Sequence, residues 1–459
     1  MKRKMSTLAV LAALGGISLS APVLADDLLQ VWQAAKEHDP QYLAAQSDKS
    51  AGTSRRNLGD TLFKPSVSLV ASAGAVQQNT TLAGAQFSQS ALGSYNNANF
   101  NTSINSGLHT KVALQAAMPL YDRELSAQQD QLKLSAEVTD SGMDAADQAL
   151  LLRVSENYFE ALKMQTTLAL LAEQEQAVST THTEISRRQQ LGDASKIDER
   201  ATAEQVEAVK VKLLNTELAY QNQLLALTEL TGKTIKVNPL DERFNADAIV
   251  VGSAGGWVAK ARQNNPQLKM LALQEQVKRS ETNRYGSAYS PKLSLVAQLE
   301  RQRADGSGDY GSASSSATNH MLGVQLFVPL TDGARSARKE ESYYLAEKSR
   351  QEYERAALEI DRQINSLWFA LNGGKGRIEA LGRMVSLSRE KLDATQRSHR
   401  QGSRTTLELL AAQSDYIAAR LQRLEEQINL IQNRMRLAAL AGDISEADLT
   451  LVNRFIARP

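Results

Sequence analysis

The chain has no cysteine among its 459 residues. That excludes disulfides, cysteine nucleophiles, Cys-ligated zinc and a lipidated N-terminal cysteine. Proline is scarce, with none between 120 and 238 or between 330 and 458. Proline breaks helix interiors, so both spans are open to very long helices. Excess charge of one sign is also lacking: 52 Lys and Arg stand against 51 Asp and Glu. Nothing there favours nucleic acid or an acidic surface. The five histidines (His38, His109, His182, His320 and His399) are scattered, so no metal site is expected. A P-loop is missing, since "GGKG" at 373–376 falls short of GxxxxGK[ST], and there is no HExxH or nucleophile motif. An enzyme is not expected, nor is a cofactor.

The chain opens "MKRKMSTLAVLAALGGISLSAPVLA". Lys2, Arg3 and Lys4 precede an apolar stretch and the small-residue pattern Val23-Leu24-Ala25, so 1–25 is expected to be a secretory signal cleaved after Ala25. Without it, 49 basic residues face 51 acidic ones. Nothing later reads as a transmembrane helix. An exported chain of this kind is periplasmic, secreted or an outer-membrane β-barrel.

What is present is a repeat. "EHDPQ" at Glu37 matches "QNNPQ" at Gln263, and "KPSVSLVAS" at Lys64 matches "SPKLSLVAQ" at Ser290. Asp39-Pro40 and Asn265-Pro266 read as N-caps followed by proline at the first helical position. Pro119 and Pro329, Gly192 and Gly402, and Gly232 and Gly442 share one offset of 210. The first repeat is expected over 26–232, with a helix, strands near 65–76 and 109–120, a long helix near 123–191 and a helix near 193–230. Residues 233–256 form a linker. The second repeat covers 257–442, with strands near 291–302 and 320–331, a long helix near 333–401 and a helix near 403–440. A segment at 443–459 closes the chain.

The last helix carries a heptad seam through Leu407, Leu410, Ser414, Ile417, Leu421, Leu424, Ile428, Ile431, Met435 and Ala438. Its counterpart in the first repeat shows two stripes: Val211, Leu218 and Leu225, and Val206, Val209, Leu213, Tyr220 and Leu227. Two apolar seams imply a neighbour on each side, as in a ring of helices; a simple helical bundle is the alternative. The four strands alternate with period two over about ten residues, which suits tilted membrane strands. The stretches between them are rich in Asn, Ser and Gly and read as exposed loops. Phe63, Tyr121, Tyr289 and Phe327 sit near strand ends, as an interfacial girdle would. Four strands cannot close a membrane barrel, so several chains must share one.

These features together resemble the TolC family of outer-membrane factors over the whole mature chain. The start "DDLLQVWQAAKEHDPQ", the proline-bounded strand pairs, the "VPLTDG" turn and the breaks at Gly192 and Gly402 carry the likeness. It implies a mixed α and β membrane protein: a trimeric twelve-stranded β-barrel, four strands per chain, continued by a long periplasmic α-helical barrel. It implies an outer-membrane channel of a tripartite export system, for type I protein secretion or multidrug efflux. Its partners would be copies of itself, a periplasmic adaptor, an inner-membrane ABC or proton-driven transporter, and outer-membrane lipid. A periplasmic adaptor and a coiled-coil structural protein or adhesin are the alternatives.

The resemblance also assigns a site. Gly192 and Gly402 become the turns of a periplasmic tip held closed by links between neighbouring coils. Aligned on the glycines, the gate positions are Asp198, His399, Arg404 and Glu408, with an Asp198–Arg404 pair expected. An exposed pair is worth only about 0.2–1 kcal/mol, which suits a gate that a partner opens. The family usually has tyrosine where this chain has His399, a residue able to titrate near neutrality. Glu408 matches one of two acid rings at the family's entrance, and Ala411 occupies the other. The adaptor is expected at Leu191, Gly192, Ala194, Ser195, Gly402, Ser403 and Thr405. Gly373, Gly374 and Gly376 are expected to interrupt the second long helix near an equatorial collar.

Overall fold

A computed structural model describes residues 27–91, 93–240, 244–249, 252–286, 289–331 and 333–456. The expected signal segment and its cleavage point lie outside the described residues. The elements run α1 (Leu28–His38), α2 (Pro40–Thr61), β1 (Ser66–Gln89), β2 (Gly93–Tyr121), α3 (Arg123–Gln190) and α4 (Lys196–Thr231). A 3₁₀ turn (Ala246–Ala248) leads to α5 (Ala254–Asn264), α6 (Pro266–Gly286), β3 (Lys292–Gly308), β4 (Gly311–Phe327), α7 (Gly333–Arg400), α8 (Thr406–Leu440) and α9 (Glu446–Asn453). The chain forms two compact units, and α3 and α7 run through both.

Among the described residues, the first unit takes in those of 27–43, 148–257 and 364–456. Asp39 caps α2, accepting from the Gln41 and Tyr42 backbone N–H groups, and its buried carboxylate pairs with Arg153. The linker meets the C-terminal segment through a bridge between Leu240 and Ile456 and a Phe244–Phe455 ring contact with centroids 5.0 Å apart. Arg434 pairs with Asp448 at 3.1 Å and lies over the Trp257 ring. Deeper in this unit, Val178 of α3, Val206 of α4 and Leu410 of α8 form a buried cluster. Most of the α8 seam is buried, but Leu407 is exposed, because the buried face of the first turn runs through Thr406, Leu409 and Leu410 instead. Of the two stripes on α4, Val206, Val209 and Leu227 are buried, whereas Val211, Leu218 and Leu225 are 55–65% exposed.

The glycine run in α7 does not interrupt it; the helix is continuous from Gly333 to Arg400. Gly374 serves packing, whereas nothing lies within 4 Å of a Cβ on Gly376. A Cβ on Gly374 would stand 2.8 Å from Leu430 Cδ1, and one on Gly373 2.9 Å from the Arg377 guanidinium, which pairs with Glu426.

The second unit holds residues 44–147 and 258–363. Its antiparallel sheet has the order β1-β2-β3-β4. The strands are longer than expected, at 24, 29, 17 and 17 residues. The Asn, Ser and Gly-rich stretches expected as loops are the outer halves of two hairpins. Pairing continues to Gln89↔Gly93 in one and Gly308↔Gly311 in the other. Their strand propensity is poor, but a neighbouring ladder supplies every second hydrogen bond and overrides it.

The register gives the sheet two unlike faces. Side chains in paired positions share a face, so tiers can be read across the four strands. One face holds Ser68, Gln115 and Gln298, then Val70, Ala113 and Glu300, then Ser72, Lys111 and Gln302. It is the more polar face: Ala113 on it is fully buried, and Lys111 pairs with Glu300 at 2.7 Å. The opposite face is aliphatic and open. Its tiers include Val67, Ala116, Ala297 and Leu322, and then Leu69, Leu114, Leu299 and His320. Leu69 is 69% exposed and Leu322 76%. At the helix-bearing end Tyr121, Tyr289 and Phe327 are exposed and Phe63 is half-buried.

Beneath the sheet, Glu124 accepts from Lys292 at 2.9 Å and from Arg284 at 3.2 Å. Those cations, Lys292 foremost, hold its carboxyl below the usual carboxylate range. Nearby, α2 packs on α3 through Gly52. A Cβ there would stand 1.9 Å from Thr139 Oγ1 and 3.1 Å from Thr139 Cβ. Gly52→Val should therefore force the helices apart and destabilise the chain by about 1–3 kcal/mol. The readout is the thermal midpoint from helix circular dichroism; an unchanged midpoint would show that the contact is not tight.

Candidate functional site

The two breaks at Gly192 and Gly402 are built alike. At the end of α3, Gly192 N–H donates to Gln189 O at 3.1 Å and Asp193 N–H to Arg188 O at 2.8 Å. At the end of α7, Gly402 N–H donates to His399 O at 2.9 Å and Ser403 N–H to Ser398 O at 3.0 Å. Both glycines are left-handed, at φ +87° and +75°. Nothing lies within 4 Å of a Cβ added at either, so the requirement is backbone conformation alone.

The next helix starts with a cap in each case. Ser195 Oγ accepts from Asp198 N–H at 3.0 Å and donates to the Asp198 carboxylate at 2.6 Å. Thr405 Oγ1 accepts from Glu408 N–H at 3.2 Å, and Thr405 N–H donates back to Glu408 Oε2 at 2.8 Å. The matching acids after each glycine are thus third-position partners of helix caps, favoured there by reciprocal bonding and the helix dipole. The T-x-x-E spacing from Thr405 to Glu408 carries that signal.

Of the expected gate residues, the structure brings Arg404 and Glu408 together, 2.5 Å apart. Asp198 meets Ser195, and among the described residues no ion pair joins Asp198 to Arg404 within one chain. His399 is buried, with a ring nitrogen 3.4 Å from Thr406 Oγ1. It lines a polar groove with Glu184, Arg400 and Gln413. The Gln413 amide donates to Thr181 Oγ1 at 3.2 Å. Leu191, Gly192, Ser195, Gly402, Ser403 and Thr405 are exposed, and Ala194 is half-buried. Two residues escaped sequence reasoning. Ile197 is 77% and Leu407 60% exposed. They are repeat equivalents, each two residues after a cap, and the repeat offset itself was the signal that could have found them. In Leu407 the heptad pattern concealed an exposed side chain.

A lipid-suited sheet joined to long helices, reversed at tight capped turns, defines a membrane duct rather than a catalyst. The chain belongs to the outer membrane efflux protein family, whose sequence profile matches residues 31–233 and 257–443. It is 24% identical over 464 residues to the outer membrane protein TolC of Vibrio cholerae, covering 98% of both chains. It is also 24% identical over 433 residues to the alkaline protease secretion protein AprF of Pseudomonas aeruginosa, covering 93% of this chain and 86% of that one. The solved structure of the outer membrane protein VceC from Vibrio cholerae shares the fold, with a TM-score of 0.71 at 14% identity over 90% of this chain and 96% of that one. The chain is an outer-membrane export channel, and it is not an enzyme. The adaptor and adhesin alternatives fall with that membership.

Glu408 carries a pH consequence. Its carboxyl lies below its ordinary range, first through the Thr405 backbone N–H and then through Arg404. The folded value is depressed, so its stabilisation is complete above the unfolded value, about 4.3, and is lost as pH falls through the folded one. Amide-exchange protection in the first turn of α8 should fall across that acidic window in the wild type. Glu408→Gln should remove most of the dependence; an identical pH profile in both would refute the role.

Proposed function

We propose that three copies of the chain assemble into one twelve-stranded barrel and a shared helical barrel, forming a passive duct across the outer membrane. The observation that carries this is the sheet. It has an open aliphatic face, a polar opposite face and, among the described residues, no strand paired to the outer edges of β1 and β4. Unpaired backbone is untenable in lipid, and pooling with copies closes it. The exposed α4 stripe Val211, Leu218 and Leu225 supports the same assembly, as a seam awaiting a neighbour's helix. The polar face would then line water.

The duct opens at its periplasmic tip. An adaptor engages the two turns, where exposed Leu191, Ile197 and Leu407 offer apolar contact beside the small residues Gly192, Ala194, Ser195, Gly402, Ser403 and Thr405. An inner-membrane ABC or proton-driven transporter supplies the energy. Asp198, His399, Arg404 and Glu408 form the gate. Closing it couples Asp198 to Arg404 of a neighbouring copy, in competition with the Arg404–Glu408 pair. Three Glu408 carboxylates at the entrance favour cations. The 24% identity to a protein named for alkaline protease secretion supports exported protein as one cargo class.

Unheated outer-membrane extracts should show a trimer band that collapses on boiling, and the purified trimer should conduct ions in planar bilayers. Leu218→Arg with Leu225→Arg should strongly reduce the trimer band, because buried charge at a helix seam is costly. A water-soluble monomer that never conducts would reject the assembly.

In the same bilayers, Asp198→Ala should raise single-channel conductance and Glu408→Ala should weaken cation preference. Unchanged conductance in the first would remove the latch, and unchanged selectivity in the second the acid ring.

A further inference from the structure

On β3 and β4 the aliphatic face of the sheet ends abruptly. From the helix-bearing end, β3 contributes Leu293, Leu295, Ala297 and Leu299, paired on β4 with Leu326, Val324, Leu322 and His320. The next tier is Val112, Arg301 and Thr318, and the one after is Thr110, Arg303 and Ser316. Eight residues separate Leu293 from Arg301. That is about 26 Å along a strand, or about 20 Å across a membrane at the usual tilt, close to an outer-membrane apolar band. A lipid-facing arginine is costly at the midplane and nearly free at an interface, so the Arg301 tier marks the rim on the hairpin side.

The two arginines differ. Arg303 donates to Asp305 at 2.6 Å, and Asp305 also accepts from Ser314 at 2.6 Å. That charge is spent within the chain. Arg301 is exposed, and among the described residues no acid pairs with it. Around it on the same face lie His320 on one diagonal, the Thr318 hydroxyl opposite, and the Ser316 and Thr110 hydroxyls one tier up. A free guanidinium ringed by an imidazole and hydroxyls, directly above aliphatic side chains, matches a group that is anionic at the top and acyl below.

We propose that Arg301, with His320 and Thr318, binds a phosphate on the sugar headgroup of an outer-leaflet glycolipid, whose acyl chains lie along Leu299, Leu322 and Leu114. Arg301 takes the phosphate through its planar fork, and the Asp305-neutralised Arg303 stays out of the contact. This rests on the outer-membrane duct reading, which puts the hairpin ends at the outer leaflet. It adds a lipid site that the duct does not require.

The test uses the full-length trimer, delipidated and loaded separately with bis-phosphorylated lipid A, dephosphorylated lipid A or phosphatidylglycerol, with retained lipid counted by native mass spectrometry. The wild type should retain bis-phosphorylated lipid A at least about tenfold better than the dephosphorylated form, the low end for one hydrogen bond to a charged group. Arg301→Ala should lose that preference, Arg301→Lys should keep part of it, and Arg303→Ala should keep it. Equal retention in the wild type and Arg301→Ala would overturn the site. Retention of phosphatidylglycerol as strong as that of lipid A would overturn the assignment to a glycolipid. Each sample is also tested for conductance in planar bilayers. A trimer that conducts normally while Arg301→Ala retains lipid A unchanged defeats this inference alone. A chain that never inserts defeats the duct reading and this inference with it.

Discussion

An open β-sheet cannot end in lipid, and that constraint organises the rest of the chain. The sheet offers hydrocarbon-compatible residues on one face and serine, glutamine and a Lys111–Glu300 pair on the other. Four strands do not close a barrel. In the assembly proposed above, the sheet is completed by other copies. The exposed seam on α4 would be covered in the same way.

The two turns show a similar economy. Left-handed glycines end α3 and α7, and a Ser–Asp or Thr–Glu cap restarts the chain within a few residues. The acid that repays the helix dipole is the same acid that a gate would use. Glu408 already satisfies Thr405 and Arg404, so any link across copies must compete with contacts the single chain makes for itself. A latch of the kind proposed would be weak, which suits a duct that a partner opens.

Much of the plan was legible from the residues. Proline-free spans marked α3 and α7. The repeat located both glycine turns, and period-two alternation found the inner halves of all four strands. The outer halves were hidden, because Asn, Ser and Gly carry no strand signal and pair only when a neighbouring ladder is present. The Gly373–Gly376 run read as a break, yet the helix runs through it, and Gly374 packs closely on Leu430. The heptad seam put Leu407 on the packed side, yet the buried face at the start of α8 runs through Thr406, Leu409 and Leu410, because apolar period alone does not say which side the neighbour covers.

The amino-acid order by itself determined the local features: helix ends, caps, strand faces and the internal duplication. Each depends on residues a few positions apart, through backbone conformation, side-chain period and short-range bonding. Only the tertiary structure decided which apolar stripe of α4 is covered and which stays open. It also decided that His399 is buried rather than at the surface. Those outcomes depend on packing between segments far apart in the chain, where no local pattern specifies the partner.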